Sequence, residues 1–124
     1  MEDVRLAVAE AIRKVRARVQ WKLGKDIAHL RKRQAMGHLP RHATLSEYDA
    51  VIQAVIASPG ARVFAYRVGE TLYVAVRGDV AGLAWLAIFS LDGILETAFP
   101  PGDIEASLGQ AGFTEIGTIA EVLA

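Results

Sequence analysis

The sequence predicts an α+β domain: N-terminal helices packed on a four-stranded antiparallel meander sheet, followed by a small C-terminal helix. Three observations carry this expectation. The spacing of apolar residues changes at Ala61 from about 3.6 to about 2, so helices come first and strands follow. Gly69-Glu70 and Asp92-Gly93 separate β-patterned runs as hairpin turns do. Residues 83–91 are almost wholly apolar, which suits a central strand buried on both faces.

The chain has 124 residues, enough for one domain with its own core. Residues 1–24 read as a basic amphipathic helix, 25–101 as the core and 102–124 as a helical extension. An apolar share of 52% and a mean hydropathy of +0.27 favour an ordered chain over a disordered one. The absence of cysteine excludes disulfides, thiolate catalysis and Cys-ligated zinc. The longest apolar run, 80–91, is too short to span a bilayer as a helix. The charged N-terminus does not read as a signal peptide. The expectation is a cytoplasmic protein without a membrane partner.

The elements follow in order. In residues 2–23, Val4, Val8, Ile12, Val15 and Val19 recur at helical spacing. Arg5, Arg13, Lys14, Arg16, Arg18 and Lys22 occupy the other face, and Gly24 is the expected stop. Residues 25–36 form a second helix, with Asp26 near its start and Arg31-Lys32-Arg33 toward its end, as the helix dipole favours. Gly37 and Pro40 then open a loop holding His38 and His42. Thr44 or Ser46 is the N-cap of a helix over 45–57, and with Thr44 as the cap Glu47 completes a capping box; the stripe is Tyr48, Val51, Ile52, Val55 and Ile56. Strands follow at 63–68, 71–77, 83–91 and 94–99, with a longer turn at 78–82. Pro100-Pro101 stops the last strand. A short helix is expected at 103–111. Residues 112–124 fit a short strand or turn and then a helical end.

The charge is divided along the chain. Residues 1–42 carry eleven Lys/Arg against four Asp/Glu, and residues 43–124 carry three against ten. All three histidines lie in or beside the basic block. Cations hold phosphates, and imidazoles move protons near neutral pH. His29-Leu30-Arg31-Lys32-Arg33 is a basic cluster suited to phosphate. His38-Leu39-Pro40-Arg41-His42 places two imidazoles around a guanidinium, and Pro40 rules out the helical geometry of a zinc pair. Loop histidines suit general acid–base work, and cations suit the charge of a phosphorane. Arg67 and Arg77 sit near the ends of adjacent hairpin strands and are read as lining a sheet face. The glycines lack the spacing of a nucleotide-binding loop, and no serine sits in a nucleophile elbow. Nothing calls for a metal or another cofactor.

Residues 25–101 also resemble a known group. "DIAHLRKRQ", "LSEYDAVIQAVIASPGARVFAY" and "WLAIFSLDGILETAFPP" look like the leading His helix, the helix-to-strand passage and the last hairpin of one class. That class is the phage-associated nuclease-like domains grouped with barnase, EndoU, colicin nucleases and RelE. The resemblance implies helices on a four-stranded antiparallel sheet. It implies a site made from a helical His, a cation of the sheet and a Ser or Thr of the last strand. The matching positions are His29, Arg67 or Arg77, and Thr97. The group often has a second His a few residues after the first. Gln34 occupies that place here, and His38 or His42 would have to substitute.

The resulting expectation is a toxin-like, metal-independent endoribonuclease that cuts RNA through attack of its own 2′-hydroxyl. His29 and His42 would serve as acid and base, with Arg67 or Arg77 on the phosphorane and Thr97 on a phosphate oxygen. Arg31, Lys32, Arg33, His38 and Arg41 would bind substrate. Two rivals stand beside it. One is a non-catalytic module on the same fold that holds RNA or an acidic protein, such as an immunity or antitoxin partner. The other is a homo-oligomer whose basic helix docks on the acidic half of a second copy.

Overall fold

A computed structural model describes residues 2–110 and 112–124. Its first helix, α1 (Glu2–Ala17), buries Val8, Ala11, Ile12 and Val15 completely. The expected helix over 2–23 ends six residues early. Gln20–Trp21 instead form a short strand, β1, pairing in parallel with Ile94 and Leu95. Tertiary contacts override the helical pattern here: Trp21 packs on Tyr48 with ring centroids 5.2 Å apart, and its Nε1–H donates to Asp49 Oδ1 at 2.7 Å. Gly24 is therefore not the stop of α1. It precedes the next helix, α2 (Lys25–Ala35), at φ 82°.

The next helix, α3 (Leu45–Ala57), opens on the expected capping box. Thr44 Oγ1 accepts from the Glu47 N–H at 3.1 Å, and the Glu47 carboxylate accepts from the Thr44 N–H at 3.2 Å. Four strands then follow: β2 (Arg62–Val68), β3 (Thr71–Val80), β4 (Leu83–Ser90) and β5 (Ile94–Phe99). β3 runs three residues further than expected, so the long turn shrinks to Ala81-Gly82. Gly78 stays inside the strand because α3 packs closely there. A Cβ at that position would lie 3.3 Å from Val55 Cγ1.

The C-terminal helix α4 (Ile104–Leu108) is shorter than expected, and Ala111 lies outside the described residues. The chain ends with β6 (Phe113–Thr118) and α5 (Ile119–Leu123). The architecture is α+β, but the sheet is six-stranded and mixed, in the order β1-β5-β4-β3-β2-β6, rather than a four-stranded antiparallel meander. The two edge strands explain the difference. β1 is too short to show a period, and β6, FTEIGT, pairs with β2 only across an irregular register.

The sheet separates two clusters. On one face α1, α2, α3 and α5 share a core with Val63, Val74, Val76, Trp85, Phe89 and Leu95. On the other, Leu108 of α4 covers Phe64, Ala75, Leu86 and Ile88. β4 is buried on both faces, as its composition requires. Among the described residues no helix is long and apolar enough to cross a membrane.

Gly93 closes the β4–β5 hairpin at φ 80°, and a Cβ there would meet Lys14 Cβ at 2.7 Å. Gly93→Ala is expected to cost about 1–2 kcal/mol from left-handed strain, before any displacement of α1 is counted. Urea unfolding checks this, and an unchanged midpoint would contradict it.

Candidate functional site

β1 covers only the first two residues of β5, and α2 takes over the edge beyond Leu95. His29 Nδ1 lies 3.3 Å from Thr97 Oγ1, and the Arg33 guanidinium carbon lies 5.7 Å from the centre of the Phe99 ring. The match is geometric: one helical turn advances about 6 Å over four residues, and two strand residues advance about 6.7 Å. Lys25, His29, Lys32, Arg33 and Met36 follow this helical spacing and line one wall of an open cleft of about 700 Å³. Glu96, Thr97, Phe99, Pro100 and Pro101 line the other, and His38 enters from the loop after α2.

Arg33 is the unusual group. It is 4% exposed and forms no ion pair among the described residues. Its Nη1 lies 3.3 Å from His38 Nδ1, its Nη2 lies 3.9 Å from the Met36 sulfur, and its Nε has no partner among the described residues. A buried cation without a counter-ion is expensive. Three cations line the cleft with one carboxylate, Glu96, which already pairs with Lys22 at 3.7 Å. Among the described residues the cleft lining therefore carries an excess of positive charge.

The guanidinium also fixes a tautomer. It can only donate, so Nδ1 of His38 accepts and the proton of the neutral ring sits on Nε2. His29 is held differently, stacked on Trp21 with centroids 6.1 Å apart and its Nδ1 against the Thr97 hydroxyl. Behind the strand, the Tyr48 hydroxyl donates to the Ala98 carbonyl and pins β5. Burial pushes the Tyr48 phenol up to about 12.

Both cleft imidazoles favour the neutral form. Burial lowers His29 most, then Lys25, Arg33 and Lys32, with Glu96 opposing. Burial and then Arg33 lower His38. The unfolded chain therefore binds more protons below the ordinary histidine value of 6.5, so stability falls as pH drops through that value. The fall ends below the folded values. The His29→Gln/His38→Gln double variant should lose this slope between about pH 7 and pH 5.5. Urea midpoints across that range measure it, and an equal slope in the variant would contradict the assignment.

Of the residues expected at a site, the cleft gathers His29, Lys32, Arg33, His38 and Thr97. Arg31, Arg41 and His42 are exposed and do not line it. Arg67 and Arg77 do not share one sheet face, contrary to expectation. Strand alternation puts Arg67 with Ala65 and Val63 on the helix-covered face, and Arg77 opposite Arg62 on the other. Arg77 pairs with Asp79 at 3.5 Å, and Arg67 lines a separate groove with Val4 and Leu72. The sequence also singles out the strand end Glu96-Thr97-Ala98-Phe99-Pro100, of which all but Ala98 line the cleft, whereas Lys25, Met36 and Pro101 line it without having been singled out. The available signal was the spacing 25, 29, 32, 33, 36, a single helical stripe.

Among the described residues no three His, Asp or Glu side chains form a group that could hold a metal ion. Comparison with family models, curated proteins and solved structures found no match.

Proposed function

We propose that this chain is a metal-independent ribonuclease-like domain whose cleft between α2 and β5 holds one RNA phosphate and cleaves beside it. The observation that carries this reading is Arg33, a buried guanidinium without a carboxylate partner among the described residues, in a cleft with two imidazoles that favour the neutral state. Arg33, Lys25 and Lys32 supply the charge that a phosphate, and still more a phosphorane, requires. The assignment replaces Arg67 and Arg77 with Arg33, and His42 with His38.

With Nδ1–H donating to Thr97, His29 Nε2 takes the proton of the ribose 2′-hydroxyl as its oxygen bonds to phosphorus. The bond from phosphorus to the 5′-oxygen breaks, and protonated His38 gives that oxygen a proton. A bound phosphate favours the charged imidazole, and the step uses the form in which His29 is neutral and His38, released from its Nδ1 contact with Arg33, is protonated. The products are a 2′,3′-cyclic phosphate and a 5′-hydroxyl.

One observation favours the non-catalytic rival. The Arg33 contact makes His38 a donor in its neutral form and opposes its protonation, as a pure anion-binding cleft would. Self-association draws less support, because α1 buries its apolar stripe within the chain and would offer a second copy mainly charge. Incubation with single-stranded RNA separates cleavage from binding, and the chemistry of the product ends identifies the step.

A further inference from the structure

We propose that the cleft seats a whole nucleotide, with its phosphate among Lys25, His29, Lys32 and Arg33 and its base against Met36 and Pro101. This rests on the anion-binding reading above and names the ligand class of that same site.

Size is the first argument. A cleft of about 700 Å³ is far larger than a lone phosphate needs. It falls within the range of about 300–1,000 Å³ typical of pockets that hold drug-sized ligands.

Segregation is the second. Lys25, His29 and Lys32 bring polar groups to one stretch of α2, while Met36, Phe99, Pro100 and Pro101 form an apolar wall beyond it. Met36 is 57% exposed although it lies on the helical stripe that lines the cleft. An apolar side chain left in water beside a cation cluster fits a ligand with a flat apolar part as well as a charge.

Arg33 is the third, since it brings a cation to the apolar wall itself, with its guanidinium over the Phe99 ring and beside the Met36 sulfur. Met36 stands about one helical turn, ~5 Å, beyond Lys32 and Arg33, which is the scale of the ribose joining phosphate to base. Sulfur and proline faces accept any base by contact, so this seat recognises a nucleotide without selecting its sequence.

Calorimetric or NMR titration with inorganic phosphate, ribose 5-phosphate and adenosine 5′-monophosphate tests the seat. The nucleotide should bind about threefold to tenfold tighter than ribose 5-phosphate, the scale of a sulfur–ring contact. Met36→Ala and Pro101→Ala should narrow that gap and leave inorganic phosphate unchanged. Met36 is exposed, so its variant should fold as the parent does. Arg33→Met should weaken all three ligands. A nucleotide that binds no tighter than ribose 5-phosphate overturns the base seat and leaves the anion site standing. So does a gap that survives both apolar variants, or a loss shared equally by inorganic phosphate. No binding by any of the three overturns the anion-binding reading itself, and the seat with it.

Discussion

Replacing His29 with Ala should lower RNA cleavage by about a hundredfold or more, the usual size of one general acid–base group. The ring does two things that alanine cannot. It presents a basic nitrogen to the cleft, and it is aimed there by Trp21 stacking and the Thr97 hydroxyl. Stability should change by about 1 kcal/mol or less, because one half-buried hydrogen bond and one ring contact are lost. Added imidazole should restore part of the rate in this variant, and the pH profile should lose one limb. Neither effect follows from a merely structural role. Cleavage by His29→Ala at the parental rate would remove His29 from the mechanism.

Arg33→Met should move stability and binding in opposite directions. Methionine is apolar and long enough to fill the space between His38, Met36 and Phe99. It removes a cation that is 4% exposed and has no carboxylate partner among the described residues. Replacing buried charge by apolar groups commonly gains about 1–4 kcal/mol, and a gain near the lower end is expected because the Phe99 and His38 contacts offset part of the cost. The same change should weaken phosphate binding by about tenfold or more, the value of one charge-assisted hydrogen bond. Thermal unfolding and phosphate titration on one sample check both. A variant less stable than the parent would make Arg33 a structural cation and take away the reason for an anion site.

What was legible in the chain was its local chemistry. The Thr44–Glu47 box and the hairpin at Asp92-Gly93 are written within a few residues and both form, the hairpin with Leu91 added to its loop. β1 was illegible because its two residues owe their conformation to distant partners, Ile94, Leu95 and Asp49. The pairing of His29 with Thr97, 68 residues apart, was anticipated only through the nuclease resemblance, since no periodicity links a helix to the strand beside it. The resemblance implied a cation of the sheet, Arg67 or Arg77, whereas the basic run His29–Arg33 offered Arg33 only as one phosphate contact among several. Yet Arg33 stands three residues after Leu30, and both are buried on α2. An arginine in register with the apolar stripe was the signal for a buried guanidinium.

The most direct test of the central claim is the chemistry of the RNA ends. End-labelled single-stranded RNA incubated with the chain should yield 2′,3′-cyclic phosphate and 5′-hydroxyl ends, and a single 2′-deoxy substitution should block cleavage at that residue. Absence of cleavage in any RNA, or cleavage that continues past a 2′-deoxy residue, would contradict attack by the 2′-hydroxyl in the cleft between α2 and β5.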